Sequence, residues 1–158
     1  MGFNVVMMGP PGAGKGTQAV LLSRDLGLPH FSTGDLLRKE IAAGTPIGQK
    51  TRTYMDSGVL VPDKVMTELV AAHVLRGTGF ILDGYPRTVE QAQDLQNLLA
   101  KNGLSLTAVV NIQLADGAVI DRLVNRLTCP QCHLSYHASS NPPKASGKCD
   151  QCGTALVR

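Results

Sequence analysis

The apolar run Phe3 to Met8 leads directly into Gly9-Pro10-Pro11-Gly12-Ala13-Gly14-Lys15-Gly16-Thr17, and this junction constrains the fold more than any other stretch. It reads as a phosphate-binding loop between a strand and a helix. Small residues let several backbone N–H groups turn inward around one anion, and the helix that follows turns its positive dipole end toward the same point. Lys15 adds a mobile point charge able to reach the β and γ phosphates of a nucleotide, and Thr17 offers a hydroxyl for magnesium. The order differs from the general G-x-x-x-x-G-K-[ST] form, because Gly16 follows the lysine and the hydroxyl residue stands one position later. The bland alternative is a Gly/Pro turn that only joins a strand to a helix.

A chain of 158 residues has room for one domain with a core and small insertions. With hydrophobic residues at 43% and charged residues at 17%, it falls among soluble globular chains rather than disordered ones. The net charge of +3 suits a small anionic ligand. A nucleic-acid surface would ask for a basic stripe with interleaved aromatics, and aromatic residues are scarce. No apolar run approaches the roughly 18 residues of a membrane span, and the start lacks the basic lead of a signal sequence. A cytoplasmic setting without nucleic acid or membrane is therefore expected.

All four cysteines fall in the last third as Cys129-x-x-Cys132 and Cys149-x-x-Cys152. Two such knuckles can set four thiolates around one zinc ion, and an all-thiolate set with no open position is structural rather than catalytic. Pro130, Gly147 and Gly153 suit the tight turns this requires. Two disulfides or a redox CxxC are the other chemical readings, disfavoured in a cytoplasmic chain. A nucleic-acid-binding zinc ribbon is a third, with only Lys144 and Lys148 as basic residues between the knuckles.

Apolar runs at Phe3 to Met8, Pro29 to Phe31, Phe80 to Asp83 and Ala108 to Leu114 are expected to be strands. Helical patterns alternate with them. Lys15 to Leu26 stops at Gly27, and Val65 to Leu75 places Val65, Met66, Leu69, Val70 and Val74 on one face. Thr88 with Gln91 reads as a capping box, and Ala92, Leu95, Leu98 and Leu99 continue the stripe toward Gly103. Asp116 is expected to cap a helix carrying Val119, Ile120, Leu123, Val124 and Leu127. Arg122 and Arg126, four apart, would share a face of it. The pattern predicts an α/β fold, a parallel sheet of about four strands flanked by helices. Ligands in such folds sit at the carboxyl ends of strands, where Gly9, Ser32 and Asp83 fall. From Ser32 to about Val61 two short helices follow each other without a strand, which is either a substrate-binding flap or an ordinary helical connection.

The loop at Gly9 to Gln18, Ser32-Thr33-Gly34-Asp35-Leu36-Leu37-Arg38, Asp83-Gly84-Tyr85-Pro86-Arg87-Thr88 and the four-cysteine insertion, in this order, resemble the bacterial adenylate kinases with a zinc-bearing lid. The resemblance implies a P-loop core at 1–31 and 62–124, a helical nucleoside-monophosphate-binding insertion at 32–61, and a zinc lid at 125–158. It implies reversible phosphoryl transfer from MgATP to AMP, giving two ADP, by a monomer. Gly12, Ala13, Gly14, Lys15, Gly16 and Thr17 would cradle ATP, joined by Arg122 and Arg126 on its phosphates and by Ser135 and Tyr136 over its base. Tyr136 has a plainer reading as a lid-core residue. Asp83 would orient the magnesium shell through water, or else serve as a buried cap. Thr33, Arg38, the Val59-Leu60-Val61 backbone, Gly84, Tyr85, Pro86, Arg87 and Gln91 would hold AMP, with Arg38 and Arg87 on its phosphate. Gln91 reading the adenine edge competes with its capping-box role. Lys15, Asp83, Arg87, Arg122 and Arg126 form the expected catalytic set, while His30, His73 and His137 are expected to be structural.

The resemblance also implies a further stretch after Arg158, with an Asp-Asp pair, arginines, a helix pair and a strand on the Ala108 to Leu114 edge. Two other classes fit part of the pattern. A different P-loop small-molecule kinase would share the loop, and a binding module would hold ATP and zinc without turnover.

Overall fold

The computed structural model describes residues 2–75, 77, 79–132 and 134–158. Four strands, β1 (Asn4–Met8), β2 (His30–Ser32), β3 (Phe80–Asp83) and β4 (Ala108–Asn111), form one parallel sheet in the order β2-β3-β1-β4. The helices are α1 (Lys15–Leu26), α2 (Thr33–Ala42), α3 (Pro46–Asp56), α4 (Asp63–Val74), α5 (Val89–Lys101) and α6 (Asp116–Val124). A short antiparallel pair, β5 (Arg126–Thr128) and β6 (Ser135–His137), completes the described elements. The α/β architecture expected from the alternation of patterns is what the chain adopts.

The residues divide into two compact units, Met1–Met8 with Gly14–Ile112, and Gly9–Ala13 with Gln113–Arg158. In the first unit the sheet alternates its side chains between two apolar clusters, as period-two geometry requires. Val6, Phe80 and Leu82 pack with Leu69, Val70, Leu95 and Leu99 of α4 and α5. Val5, Met7 and Ile81 turn the other way, onto Ala19 and Leu28. Phe80, Ile81 and Leu82 are each 0% exposed; burying a side chain of this size contributes about 1.5–3 kcal/mol. The buried Asn4 is satisfied from two sides, its N–H donating to Thr107 Oγ1 at 3.0 Å and its amide donating to Ser105 O at 2.8 Å.

Several helix ends obey local chemistry read from the residues. Gly27 closes α1 in the left-handed region at φ 65°, and Thr88 caps α5 by accepting from Gln91 N at 3.1 Å. The end of the chain's last helix departs from expectation. Ala115, not Asp116, is the N-cap of α6; the helix ends at Val124, and no residue of it is buried. Arg126 therefore leaves the helix and opens β5, so it does not share a helical face with Arg122. The physical reason is that Asn125 turns its amide back onto Asp121, donating to its backbone O at 3.1 Å and to Oδ1 at 2.8 Å, while Ala138 N donates to Asn125 O. The strand pair captures Arg126 opposite His137 before another helical turn can form.

In the second unit the Cys129–Cys132 turn follows β5, the Cys149–Cys152 turn lies between the bridged Lys148 and Ala155, and Thr128 is bridged to Val157. Gly147 and Gly153, read from the sequence as turn residues, hold φ 70° and 72°, the left-handed region that favours glycine.

Candidate functional site

The loop after β1 is built from glycines in conformations that side chains resist. Gly9, Gly12 and Gly14 have φ 136°, 79° and 98°. Ala13 N donates to Pro10 O at 3.2 Å, which tightens the turn, and Gly14 is the N-cap of α1. No acidic residue stands in the first turn of that helix, so its positive end carries no internal carboxylate. Lys15, Gly16 and Thr17 form this first turn, as the motif requires.

Asp83 ends β3 and faces the same turn. A Cβ built on Gly16 would lie 3.4 Å from Asp83 Oδ2, an ordinary van der Waals distance that places the carboxylate beside the start of the helix. Beside Asp83 sits a group that sequence reasoning set aside as structural. His30 Nε2 is a buried nitrogen with no hydrogen-bond partner among the described residues, and it lies 3.9 Å from Asp83 Oδ2. In the second unit the Arg122 guanidinium Nη1 donates to the backbone carbonyls of Gly12 at 3.3 Å and Ala13 at 3.2 Å. Arg122 thus meets the loop on its carbonyl side. Arg126 instead donates to Ser135 Oγ at 2.9 Å across the β5–β6 pair.

A second group gathers behind the end of β3. The Thr33 hydroxyl donates to Gly84 O at 3.1 Å, and Arg87 Nε donates to the same carbonyl at 2.7 Å. Gly84, at φ 82°, lies so close that a Cβ there would come within 2.8 Å of Thr33 Oγ1. Arg38 pairs with Asp35 one turn earlier on α2. Val59 and Leu60 are 59% and 58% exposed, whereas Val61 is buried in the core. Tyr85 is also a core residue, its hydroxyl 2.8 Å from Thr67 Oγ1, and Thr67 in turn donates to Asp94 Oδ2 at 3.2 Å. Burial pushes the Tyr85 phenol above its ordinary range, partly offset by the Thr67 hydrogen bond. Pro86 and Arg87 line a cavity of about 350 Å³ whose other walls include Met8, Leu95 and Val109.

Gln91 is only 4% exposed. Its Oε1 accepts from Arg87 N at 2.7 Å and its Nε2 donates to Asp63 Oδ1 at 2.6 Å. The capping box is therefore half formed: Thr88 caps Gln91 N, but the Gln91 side chain reaches the backbone of Arg87 rather than of Thr88. Asp63 was missed by sequence reasoning. An acidic residue in the first turn of α4, directly after Pro62, was the available signal.

The four cysteines are free thiols, and their sulfur atoms lie within 4.8 Å of one another. Cys129 Sγ is 3.3 Å from Cys152 Sγ, and Cys132 Sγ is 3.4 Å from Cys149 Sγ. Tetrahedral zinc with bonds of about 2.3 Å would separate its sulfurs by about 3.8 Å, so the donors and spacing fit one such ion. Tyr136 is 9% exposed, with its hydroxyl 3.4 Å from Cys149 Sγ and accepting from Asp150 N at 2.8 Å. The structure thus turns the Tyr136 hydroxyl into the knuckle, in accord with the lid-core reading. That contact draws the Cys149 thiol down to about 6 and pushes the Tyr136 phenol up to about 12.

A parallel sheet that feeds a glycine loop into a helix N-terminus, with a strand-end aspartate alongside, can hold a polyphosphate and its metal. That places the chain among the phosphate-loop kinases. Sequence comparison is more specific. The adenylate kinase family model matches residues 7–156. An adenylate kinase of Symbiobacterium thermophilum is 47% identical over 99% of this chain and 74% of its own length. Adenylate kinases of Caldanaerobacter subterraneus subsp. tengcongensis and Moorella thermoacetica are 45% and 46% identical, again over 99% of this chain, and over 72% and 73% of theirs. The chain belongs to the adenylate kinase family.

Proposed function

We propose that this chain transfers the γ-phosphoryl group of MgATP to AMP, reversibly, giving two ADP. The observation that carries the reading is the Asp83 carboxylate set beside the first turn of α1, 3.4 Å from where a Cβ of residue 16 would stand. Phosphoryl transfer asks for little covalent chemistry from a protein. It asks for two nucleotides in line, charge neutralisation and exclusion of water.

In this reading Gly12, Ala13, Gly14, Gly16 and Thr17 take the ATP phosphates on backbone N–H groups, and Lys15 follows the transferring group. Arg122 approaches these phosphates from its seat on the Gly12 and Ala13 carbonyls. Arg126 and Ser135 act together from β5 and β6, and Tyr136 contributes ring surface, its hydroxyl being engaged in the knuckle. Magnesium, when bound with ATP, would neutralise phosphate charge, with Asp83 and Thr17 as the groups that orient its waters. AMP would lie against Thr33, Gly84, Tyr85 and Pro86, with the backbone of Val59, Leu60 and Val61 beside its base. Arg38 and Arg87 would grip its phosphate, which requires each to exchange its present partner, Asp35 and Gly84 O. The functional segments would be 1–31 and 62–124 as core, 32–61 as the acceptor-binding insertion and 125–158 as a lid stiffened by zinc on Cys129, Cys132, Cys149 and Cys152. A cytoplasmic monomer belongs to the same proposal. No helix among the described residues is long and apolar enough to cross a membrane.

The test is ADP formation from MgATP with AMP, CMP, UMP or GMP offered in turn. Turnover highest with AMP is the expected result. Equal turnover with CMP or UMP would assign a different acceptor, and ATP binding without ADP from any acceptor would leave a binding module.

A further inference from the structure

Asp63 is half-buried at the start of α4, and both of its oxygens are used on α5. Oδ2 accepts from the Thr88 hydroxyl at 2.9 Å and Oδ1 accepts from Gln91 Nε2 at 2.6 Å. On its other side the Gln91 amide accepts, through Oε1, from the Arg87 backbone N–H at 2.7 Å. An ionised carboxylate has no hydrogen to give and a backbone N–H has no lone pair. The amide can therefore stand in only one sense, nitrogen toward Asp63 and oxygen toward Arg87. The opposite sense would set an oxygen against a carboxylate and an NH2 group against an N–H, with little water to relieve either.

From this clamp we infer that Asp63 is a positioning residue that fixes the polarity of the Gln91 amide and, through it, the choice between adenine and guanine in the acceptor. A primary amide offers two hydrogens and two lone pairs; Asp63 and Arg87 take one of each, leaving one hydrogen and one lone pair. Adenine presents an N6–H donor beside the N1 acceptor, whereas guanine presents the O6 acceptor beside an N1–H donor. For a base seated in one pose the two purines need the amide in opposite senses. The Asp63 carboxylate and the Arg87 N–H both oppose the sense that guanine needs, and Asp63 is the one of the two that a side-chain substitution can release. The inference rests on the proposed acceptor site, with Gln91 facing the base as the family resemblance implies.

The experiment measures AMP and GMP affinities by calorimetry, with acceptor KM, kcat and MgATP KM from initial rates. It compares the unmodified chain, Asp63→Asn and the same change in a Gln91→Leu background. Asparagine keeps the shape but can offer NH2 to a reversed Gln91. The AMP-over-GMP affinity ratio is expected to fall severalfold, by less than the roughly tenfold of one whole mismatched amide-to-base pair, because the Arg87 N–H still opposes the reversed amide. The change should fall in acceptor KM, with MgATP KM unmoved, and should vanish in the Gln91→Leu background. Asp63→Ser, whose hydroxyl both donates and accepts, should behave alike and serves if the asparagine variant does not fold. An unchanged ratio overturns the inference and leaves the acceptor site standing, as does an equal loss for both purines or a shift that persists without Gln91. Failure of the unmodified chain to bind AMP, or to prefer it over GMP, overturns the acceptor reading and this inference with it.

Discussion

Lys15 is the one side chain of the glycine loop that brings a full positive charge, so its removal isolates the electrostatic part of catalysis. Lys15→Met is expected to lower kcat by about 10²- to 10³-fold, in the range for losing one preorganised charge contact, while circular dichroism stays unchanged. Retained turnover would remove the lysine from the phosphoryl path. Tyr85 supports a different expectation. Its buried phenol titrates above its ordinary value, so the folded state holds that proton more tightly than the unfolded chain does. The resulting stability is fully present below the unfolded value of about 10 and is lost as pH rises through the folded value. Urea midpoints of the unmodified chain should fall more steeply above about pH 10 than those of Tyr85→Phe; parallel curves would sink this assignment.

The crossing of α2 and α3 depends on the absence of one atom. A Cβ on Gly48 would lie 2.1 Å from Glu40 O and 2.3 Å from the adjoining carbonyl carbon, both backbone atoms that cannot swing aside. Gly48→Ala must therefore push the helices apart, at a cost of about 1–3 kcal/mol, read as a lowered urea midpoint. Because these helices form the proposed acceptor-binding insertion, AMP affinity should weaken more than ATP affinity. The sequence announced two helices here, stopped at Gly44 and Gly58; the structure adds that Thr45 caps the second and Pro46 opens it. It did not announce the close approach, because a glycine inside a helix looks the same whether it meets a backbone or solvent. The short α6 teaches the same lesson from the other side. Its apolar spacing continued to Leu127, but periodicity carries no information about where a strand partner will seize the chain.

At the scale of the whole molecule, the unit containing the cysteines has little apolar interior, its buried cluster consisting of Cys129, Tyr136 and Cys149. A bound ion would supply much of the order that the core does not. One zinc per chain is expected by elemental analysis, and a chelator should raise amide exchange across 126–157 while the strands Asn4–Met8 and Phe80–Asp83 keep their protection. Unchanged exchange after metal removal would show that the segment holds itself together. The sequence by itself determined the glycine loop, the strand and helix alternation, the cysteine knuckles and the family, because each is written in local spacing or in a motif whose members are near one another in the chain. Only the tertiary structure decided that Asp63 meets Gln91 and Thr88, that His30 faces Asp83, and that Arg126 pairs across a hairpin instead of along a helix. Those choices join residues tens of positions apart or depend on which of two neighbours wins a hydrogen bond. That competition is settled by packing, which no single stretch of chain contains.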